Sequence, residues 1–377
     1  MKLIYIASVR IPTEKAHGYQ ICKMCEEFSR QGAEVELWFP ARKNNIQRDI
    51  FQFYGLRNNF TIREINSPEF IKYRQYFGKL SFWLQNICFI IKLFFIKTNK
   101  NDIIYTRETE VGQVFKFKGN KIVIEIHTWP ESKARLFKYL VKKFDRIIVI
   151  THKLKDVFVA VGLSGARIMV ASDGVDLAQF DINVDRIQAR TKVGLPLDKK
   201  IALYTGHLYA WKGAQVLADA AAFLDDDFLI VFVGGTEKDI NNFREKNENL
   251  ISAGKIALAG HQLHETMPLW MKAADILVLP NKGQENISKL YTSPLKLFEY
   301  MVIGRPIVAS DLPSLREILN AKNAILFEPD NSKSLALAIK KLIQDSSRAQ
   351  LLADQARLDA QKYSWSARAK KILEFIN

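Results

Sequence analysis

Short apolar runs recur along this chain at 2–7, 35–39, 103–106, 122–126, 147–150 and 167–171, and again at 201–205, 228–233, 256–259, 276–279, 306–310 and 324–327. Helical or irregular stretches separate them. This alternation predicts an α/β architecture built on parallel, doubly wound sheets. The pattern is played twice: a polar stretch from about 181 to 200, carrying Gly194 and Pro196, interrupts it before a fresh strand begins at Ile201. Two domains are therefore expected, 1–185 and 186–377. After Asn331 the sequence reads as helices, with Tyr363-Ser364-Trp365 marking a break.

Composition changes this picture in three places. A length of 377 residues exceeds what one ordinary core absorbs, and 48% hydrophobic residues suffice for two. The apolar run Met1–Ala7 is shorter than the core of a signal peptide, so a cytoplasmic protein is expected. The net charge of +15 is lopsided: residues 1–180 hold 29 Lys and Arg against 17 Asp and Glu, residues 181–377 hold 26 against 23. Such asymmetry points to an anionic partner surface, nucleic acid or phospholipid. Cys22, Cys25 and Cys88 cannot build a disulfide framework. Cys22-Lys23-Met24-Cys25 has redox or metal spacing, but no second pair completes a zinc site, and Gln20, Met24 and Phe28 flank it as in a helix packed on a sheet.

The segment from Ile71 to Lys97 is the least ordinary. Tyr73, Tyr76, Phe77, Phe82, Trp83, Phe89, Phe94 and Phe95 are interleaved with Lys72, Arg74, Lys79, Lys92 and Lys97. Its uninterrupted apolar core falls short of the roughly 20 residues that span a bilayer. Two readings stay open: a helix lying on an anionic lipid surface, or a buried core helix with charged ends.

Candidate chemistry gathers at strand ends. Ser293 is a good N-cap, Pro294 suits the first helical position, and the run to Val302 predicts a short helix closed by Gly304. Lys296 in its first turn opposes the helix dipole unless an anion is present. A bound phosphate would take the first-turn amides and Lys296 together. Glu299 shares that face, with an ion pair inside the helix as the plain alternative. His17 and Gly18 follow the first strand and His127 follows 122–126, at the sheet edge where doubly wound folds bind ligands. Thr151-His152 and Asp173-Gly174 stand at equivalent edges. In the second half, Gly206-His207, Lys212-Gly213 and Gly260-His261-Gln262 follow strands; glycines let backbone amides approach a ligand, and Lys212 offers a compact charge to a phosphate. There is no Walker sequence and no Gly-x-Gly-x-x-Gly fingerprint, which disfavours ATPase and ordinary NAD chemistry. His261 and His264 lack a carboxylate helper and read as base-packing or surface residues rather than metal ligands.

Taken in order, Gly206 to Lys212-Gly213, Ala274-Asp275-Ile276-Leu277-Val278-Leu279-Pro280, Ser293-Pro294-Leu295-Lys296-Leu297-Phe298-Glu299-Tyr300-Met301 and Gly304-Arg305-Pro306-Ile307-Val308-Ala309-Ser310 resemble glycosyltransferase family 4. Asp173-Gly174-Val175-Asp176 to Phe180 and Tyr363-Ser364-Trp365 extend the resemblance over nearly the whole chain. It implies the GT-B fold: two Rossmann-like domains with parallel sheets facing a central cleft. The first would be the acceptor side. The second would hold a nucleotide-diphosphate sugar of UDP or GDP type, with terminal helices able to cross back. Retention at the anomeric carbon, no cofactor and no metal are also implied.

Residue by residue, Glu299 corresponds to the second glutamate of the family's paired-glutamate motif, and Tyr291 stands where the first is expected. Lys212 corresponds to the diphosphate-binding lysine, and His207 replaces an arginine common there. His127 matches the histidine that reaches the donor sugar, so His127, Lys212 and Glu299 are the expected catalytic set. Gly206, His207, Gly260, Gln262, Tyr291, Thr292, Ser293, Leu295 and Lys296 are expected on the donor side, His17 and Gly18 on the acceptor side. The expected partners are a nucleotide sugar, a glycan or lipid-linked acceptor and an anionic membrane surface. Nucleic acid is disfavoured because no recognition module accompanies the charge. The serious rival, motivated by Tyr291, is a noncatalytic GT-B subunit that binds a sugar nucleotide or a partner enzyme.

Overall fold

In the computed structural model residues 1–70 and 74–377 are described, the side chains of Arg74, Phe77 and Lys79 excepted; Ile71, Lys72 and Tyr73 of the aromatic and basic segment lie outside the described residues. The chain forms two units, Met1–Ala171 with Trp365–Asn377, and Ser172–Ser364.

The first unit is built on β1 (Lys2–Ile6), β2 (Glu34–Pro40), β3 (Thr61–Ile65), β4 (Ile103–Thr106), β5 (Lys121–Ile126), β6 (Arg146–Val149) and β7 (Ile168–Val170). They form one parallel sheet in the order β3-β2-β1-β4-β5-β6-β7. Leu3, Ile4, Tyr5 and Ile6 are all buried, as a central strand covered on both faces requires. The apolar pattern missed β3, whose Thr61, Arg63 and Glu64 are exposed; it is an edge strand, kept polar where pairing with strangers must be avoided. The strand order reverses between β1 and β4, so their carboxyl ends flank the crevice in which such sheets bind ligands.

Two helices of this unit stand out by their packing. Lys79–Phe95 buries Ser81, Gln85, Phe89 and Leu93, one residue per turn, while Leu80, Phe82, Trp83, Ile87, Ile91, Phe94 and Phe95 are exposed. That distribution removes the core-helix reading, because most of the bulky apolar side chains face away from the core. The helix Ala16–Arg30 packs against Trp365–Ile376: the Tyr19 and Trp365 rings lie 6.4 Å apart, and Gln31 Nε2 donates to Ser366 Oγ at 3.0 Å. Cys22 and Cys25 are fully buried unbonded thiols on the first of these helices, and burial pushes both thiols up.

The second unit carries β8 (Lys200–Thr205), β9 (Phe228–Val233), β10 (Ile256–Gly260), β11 (Ile276–Leu279), β12 (Ile307–Ser310) and β13 (Ile325–Phe327). Their order is β10-β9-β8-β11-β12-β13, again parallel, with the reversal between β8 and β11. One face is covered by a core including Leu203, Leu277, Phe298 and Met301, the other by one including Tyr204, Phe232, Val278 and Ile339. Val175 and Phe180 belong to the former core, and Val175 N donates to Tyr363 O at 2.9 Å. Residues 172–185, read from sequence with the first domain, thus pack with the second unit.

Candidate functional site

At the reversal point of the second sheet, β8 ends in Thr205 and the chain turns through Gly206, whose N donates to Val233 O at 2.8 Å, into His207. The His207 ring stacks flat on Tyr209 with centroids 4.9 Å apart, and its Nδ1 lies 3.6 Å from Asp239 Oδ2. A 3-10 turn, Ala210–Lys212, then delivers Lys212 immediately before the helix Ala214–Ala220. Gly213 is fixed by its surroundings: φ is +73°, and a Cβ would lie 1.7 Å from the Pro280 carbonyl oxygen. Lys282 N donates to Trp211 O at 3.0 Å, so the lysine-bearing turn is pinned to the loop that follows β11.

Lys296 meets this turn from the helix Leu295–Ile303. Its Nζ donates to Thr205 O at 3.0 Å and sits 3.5 Å from the centroid of the Tyr204 ring. Burial, then the Lys212 charge, hold its ammonium well below the usual lysine range, against the opposing pull of Glu299. Burial likewise lowers Lys212 to about 8, with Asp239 opposing. Two amines with depressed basicity converge at the carboxyl end of β8, beside a helix N-terminus that no side chain caps. An anion bound there would relieve the repulsion and restore both charges.

The local geometry departs from the expected cap. The helix begins at Leu295 with Pro294 as the cap residue, and Ser293 Oγ instead accepts from Asp173 N at 3.0 Å. Gly304 closes the helix at φ 72°, as its position predicts. Tyr291 and Thr292 are buried. Glu299 does not form the helix ion pair with Lys296: its Oε1 lies 3.5 Å from His264 Nε2, while His264 Nδ1 meets Gln179 Nε2 at 3.0 Å. The sequence marks His264 as a base-packing or surface residue without a carboxylate helper, whereas the structure pairs it with Glu299. Gly260 ends β10 with its carbonyl accepting from Gly234 N at 2.7 Å, and Gln262 Nε2 donates to Ala259 O at 2.8 Å. These two residues shape the turn after β10, on the outer side of β9 from Lys212.

In the first unit, His127 follows β5. Its Nε2 lies 2.7 Å from Glu125 Oε1, which also accepts from Arg107 Nη2 at 2.7 Å; Glu125 Oε2 pairs with Arg368 Nη2 at 3.1 Å and accepts from the Tyr105 hydroxyl. Burial would raise the Glu125 carboxyl, but Arg368 and Arg107 outweigh it and hold the group well below the usual carboxylate range. His17 begins the helix Ala16–Arg30; burial, then Arg107, Lys15 and His127, lower it to about 4, so it is neutral at physiological pH. Gly18 is a packing residue, since a Cβ there would lie 2.2 Å from the Tyr54 hydroxyl. Glu125, Arg107, Arg368 and Tyr105 escaped the sequence reading. The available signal was Glu125 itself, a carboxylate inside the otherwise apolar run Ile122–Ile126, where an unpaired charge is not tolerated. Among the described residues no group of three His, Cys, Asp or Glu side chains is gathered in a way that could hold a metal ion.

Two parallel, doubly wound sheets of seven and six strands make the GT-B fold, and comparison with solved structures agrees. Anabaena HepE, in complex with UDP, superposes with a TM-score of 0.76 at 18% identity over 99% of this chain and 99% of that one. The units also match families separately: residues 18–179 match Glycosyltransferase Family 4 and residues 199–345 match Glycosyl transferases group 1, so the chain carries both glycosyltransferase domains. Similar sequences include TuaC of Bacillus subtilis (strain 168), a glycosyltransferase assigned to teichuronic acid biosynthesis, 26% identical over 69% of this chain and 64% of the relative. A D-inositol 3-phosphate glycosyltransferase of Corynebacterium urealyticum is 26% identical over 68% of this chain and 62% of the relative. The match spans under two thirds of either relative's length.

Proposed function

We propose that the chain is a retaining, metal-independent glycosyltransferase that moves a sugar from a nucleotide-diphosphate sugar, of UDP or GDP type, to a glycan or lipid-linked acceptor in cell-surface polysaccharide synthesis. The observation that carries this reading is the convergence of Lys212 and Lys296 at the reversal point of the second sheet, two amines whose charges await an anion. The UDP named for HepE supports the donor class, and the teichuronic acid biosynthesis named for TuaC supports a role in polysaccharide synthesis.

In this reading the bond from anomeric carbon to diphosphate breaks, and negative charge grows on the leaving oxygen. Lys212, Lys296 and the first-turn amides of Leu295–Ile303 stabilise that charge, which is where most of the rate acceleration arises. Glu299 accepts hydrogen bonds from ribose hydroxyls, steadied by His264. The acceptor hydroxyl attacks from the leaving group's own face and gives its proton to the departing phosphate oxygen, so no protein nucleophile is needed. His127 contacts the donor sugar.

We further read the exposed apolar face of Lys79–Phe95 as a membrane-contact surface on the cytoplasmic face. Phe94 stacks on Phe117 at 5.9 Å, Lys118 lies 5.9 Å from the Phe94 ring, and Lys133 lies 5.3 Å from the Trp83 ring. Aromatic rings ringed by lysines suit an anionic interface. No helix among the described residues is long and apolar enough to cross a membrane.

A thermal-shift screen across UDP- and GDP-sugars tests the donor assignment, because a ligand at 100 times its dissociation constant stabilises by roughly 2.7 kcal/mol. Transfer or donor hydrolysis by the purified protein separates an enzyme from a binding-only subunit, the reading that Tyr291 keeps in play. Binding without either reaction would refute the catalytic assignment.

A further inference from the structure

The first unit holds a charged cluster that the donor site does not use. Glu125 is fully buried and receives four groups: Arg107 from the end of β4, Tyr105 from within β4, His127 from beyond β5, and Arg368 from the C-terminal helix Trp365–Ile376. The Arg368 side chain is itself buried and also donates to Ala171 O at 3.3 Å. A carboxylate that only bridged two arginines would be a structural ion pair. This one also touches the residue read as contacting the donor sugar.

The chemistry of the contact fixes the state of the histidine ring. Two guanidinium groups keep Glu125 ionised, and an ionised carboxylate can only accept. The His127 nitrogen at 2.7 Å, Nε2, must therefore carry the hydrogen. In the neutral ring Nδ1 is then an acceptor, and the ring plane is set by a bond to a group that Arg107, Tyr105 and Arg368 hold still. Burial, then Arg107, Lys15 and His127, keep the His17 ring neutral, so it adds no cation beside His127.

We propose that Glu125 is a positioning residue that locks His127 into the Nε2-protonated tautomer, with Arg368 of the C-terminal helix holding Glu125 in place. This rests on the reading of His127 as the residue that meets the donor sugar. A sugar hydroxyl can then donate to Nδ1, which the opposite tautomer would forbid. Replacing the carboxylate by an amide offers the ring an N–H donor and permits the wrong tautomer.

The test uses the full chain. Ring nitrogen-15 NMR of His127, assigned with H127Q, reads the tautomer in the unaltered protein, and the Nε2-protonated form is expected. An Nδ1-protonated ring would overturn the proposal without any appeal to activity. Glu125→Gln is expected to shift the ring toward the other tautomer and to lower kcat on the order of 100-fold with donor KM nearly unchanged, since an oriented contact is lost in the transition state only. The double variant E125Q/R368M removes one guanidinium with the carboxylate, so that it folds if the single change leaves too much buried positive charge; it should show the same tautomer shift. A folded Glu125→Gln protein with wild-type kcat and an unchanged ring would sink the proposal, provided that H127Q abolishes transfer. Should H127Q transfer normally, the role of His127 in the reaction fails instead, and the tautomer measurement still decides what Glu125 does.

Discussion

Through Lys212 the proposed donor site should be sensitive to mild alkali. Its amine titrates at about 8 rather than 10.5, so carrying the charge in the empty site costs about 3 kcal/mol at 1.36 kcal/mol per pH unit. A diphosphate oxygen at about 4 Å returns roughly 4 kcal/mol at the effective dielectric of a protein surface, which pushes the bound-state value back toward that of ordinary lysine. Near pH 7 about nine tenths of the empty protein carries the charge, and near pH 9 about one tenth does. Donor affinity should therefore fall about tenfold between those conditions, with one proton taken up per donor bound at the upper end. Stability moves the other way. From about pH 8 to 10.5 the unfolded chain binds more protons than the folded one, so the unliganded protein gains stability as pH rises through that window. Calorimetric titration with UDP- and GDP-sugars, whose phosphate diesters keep a fixed charge throughout, measures the affinity, and buffers of different ionisation enthalpy count the proton. Lys212→Met should bind weakly and without this slope. A wild-type affinity flat from pH 7 to 9, or an equal slope in Lys212→Met, would refute the reasoning.

Gly213→Ala should cost about 1–2 kcal/mol for the left-handed backbone alone, and more for the contact with Pro280 O, read as a lower melting temperature together with loss of donor binding; an unchanged melt would mean that the turn relaxes freely. Glu299→Gln should weaken donor binding by about 1.5–3 kcal/mol in calorimetry, the value of a charge-assisted bond, and His264→Ala should weaken it less; equal affinity in Glu299→Gln leaves Glu299 as a mere partner of His264. Trp83→Ser with Phe94→Ser should release the protein from anionic liposomes in cosedimentation, and salt should weaken the wild type, at about 1 kcal/mol per basic residue near the surface; binding indifferent to both returns that helix face to another role.

What could be read from sequence follows the range of the interactions involved. Twelve strands announce themselves as short apolar runs, which burial on both faces produces in the central ones, and Gly304 announces a helix end because its left-handed turn is a local demand. β3 stayed silent because an edge strand is selected to look polar. Ser293 was misjudged by one helical position because its true partner, the Asp173 amide, lies 120 residues away. Separation along the chain likewise hides the pairing of Glu299 with His264 and the junction of Glu125 with Arg368: charged groups mark that a partner exists, but not which one. Lys296 is visible as a misplaced cation, yet its bond to Thr205 O and its seat on Tyr204 depend on β8 and the helix Leu295–Ile303 meeting in space.

The helix Trp365–Ile376 belongs to the first unit although the whole second unit precedes it in the chain. As the polypeptide leaves the ribosome, strands β1 to β7 emerge with Glu125 facing Arg107 and Tyr105 but lacking Arg368. The second unit emerges complete while the first still waits for its closing element. The unit that emerges earlier is thus completed later, and the wait ends only when Trp365–Ile376 supplies the arginine that completes the shell around Glu125.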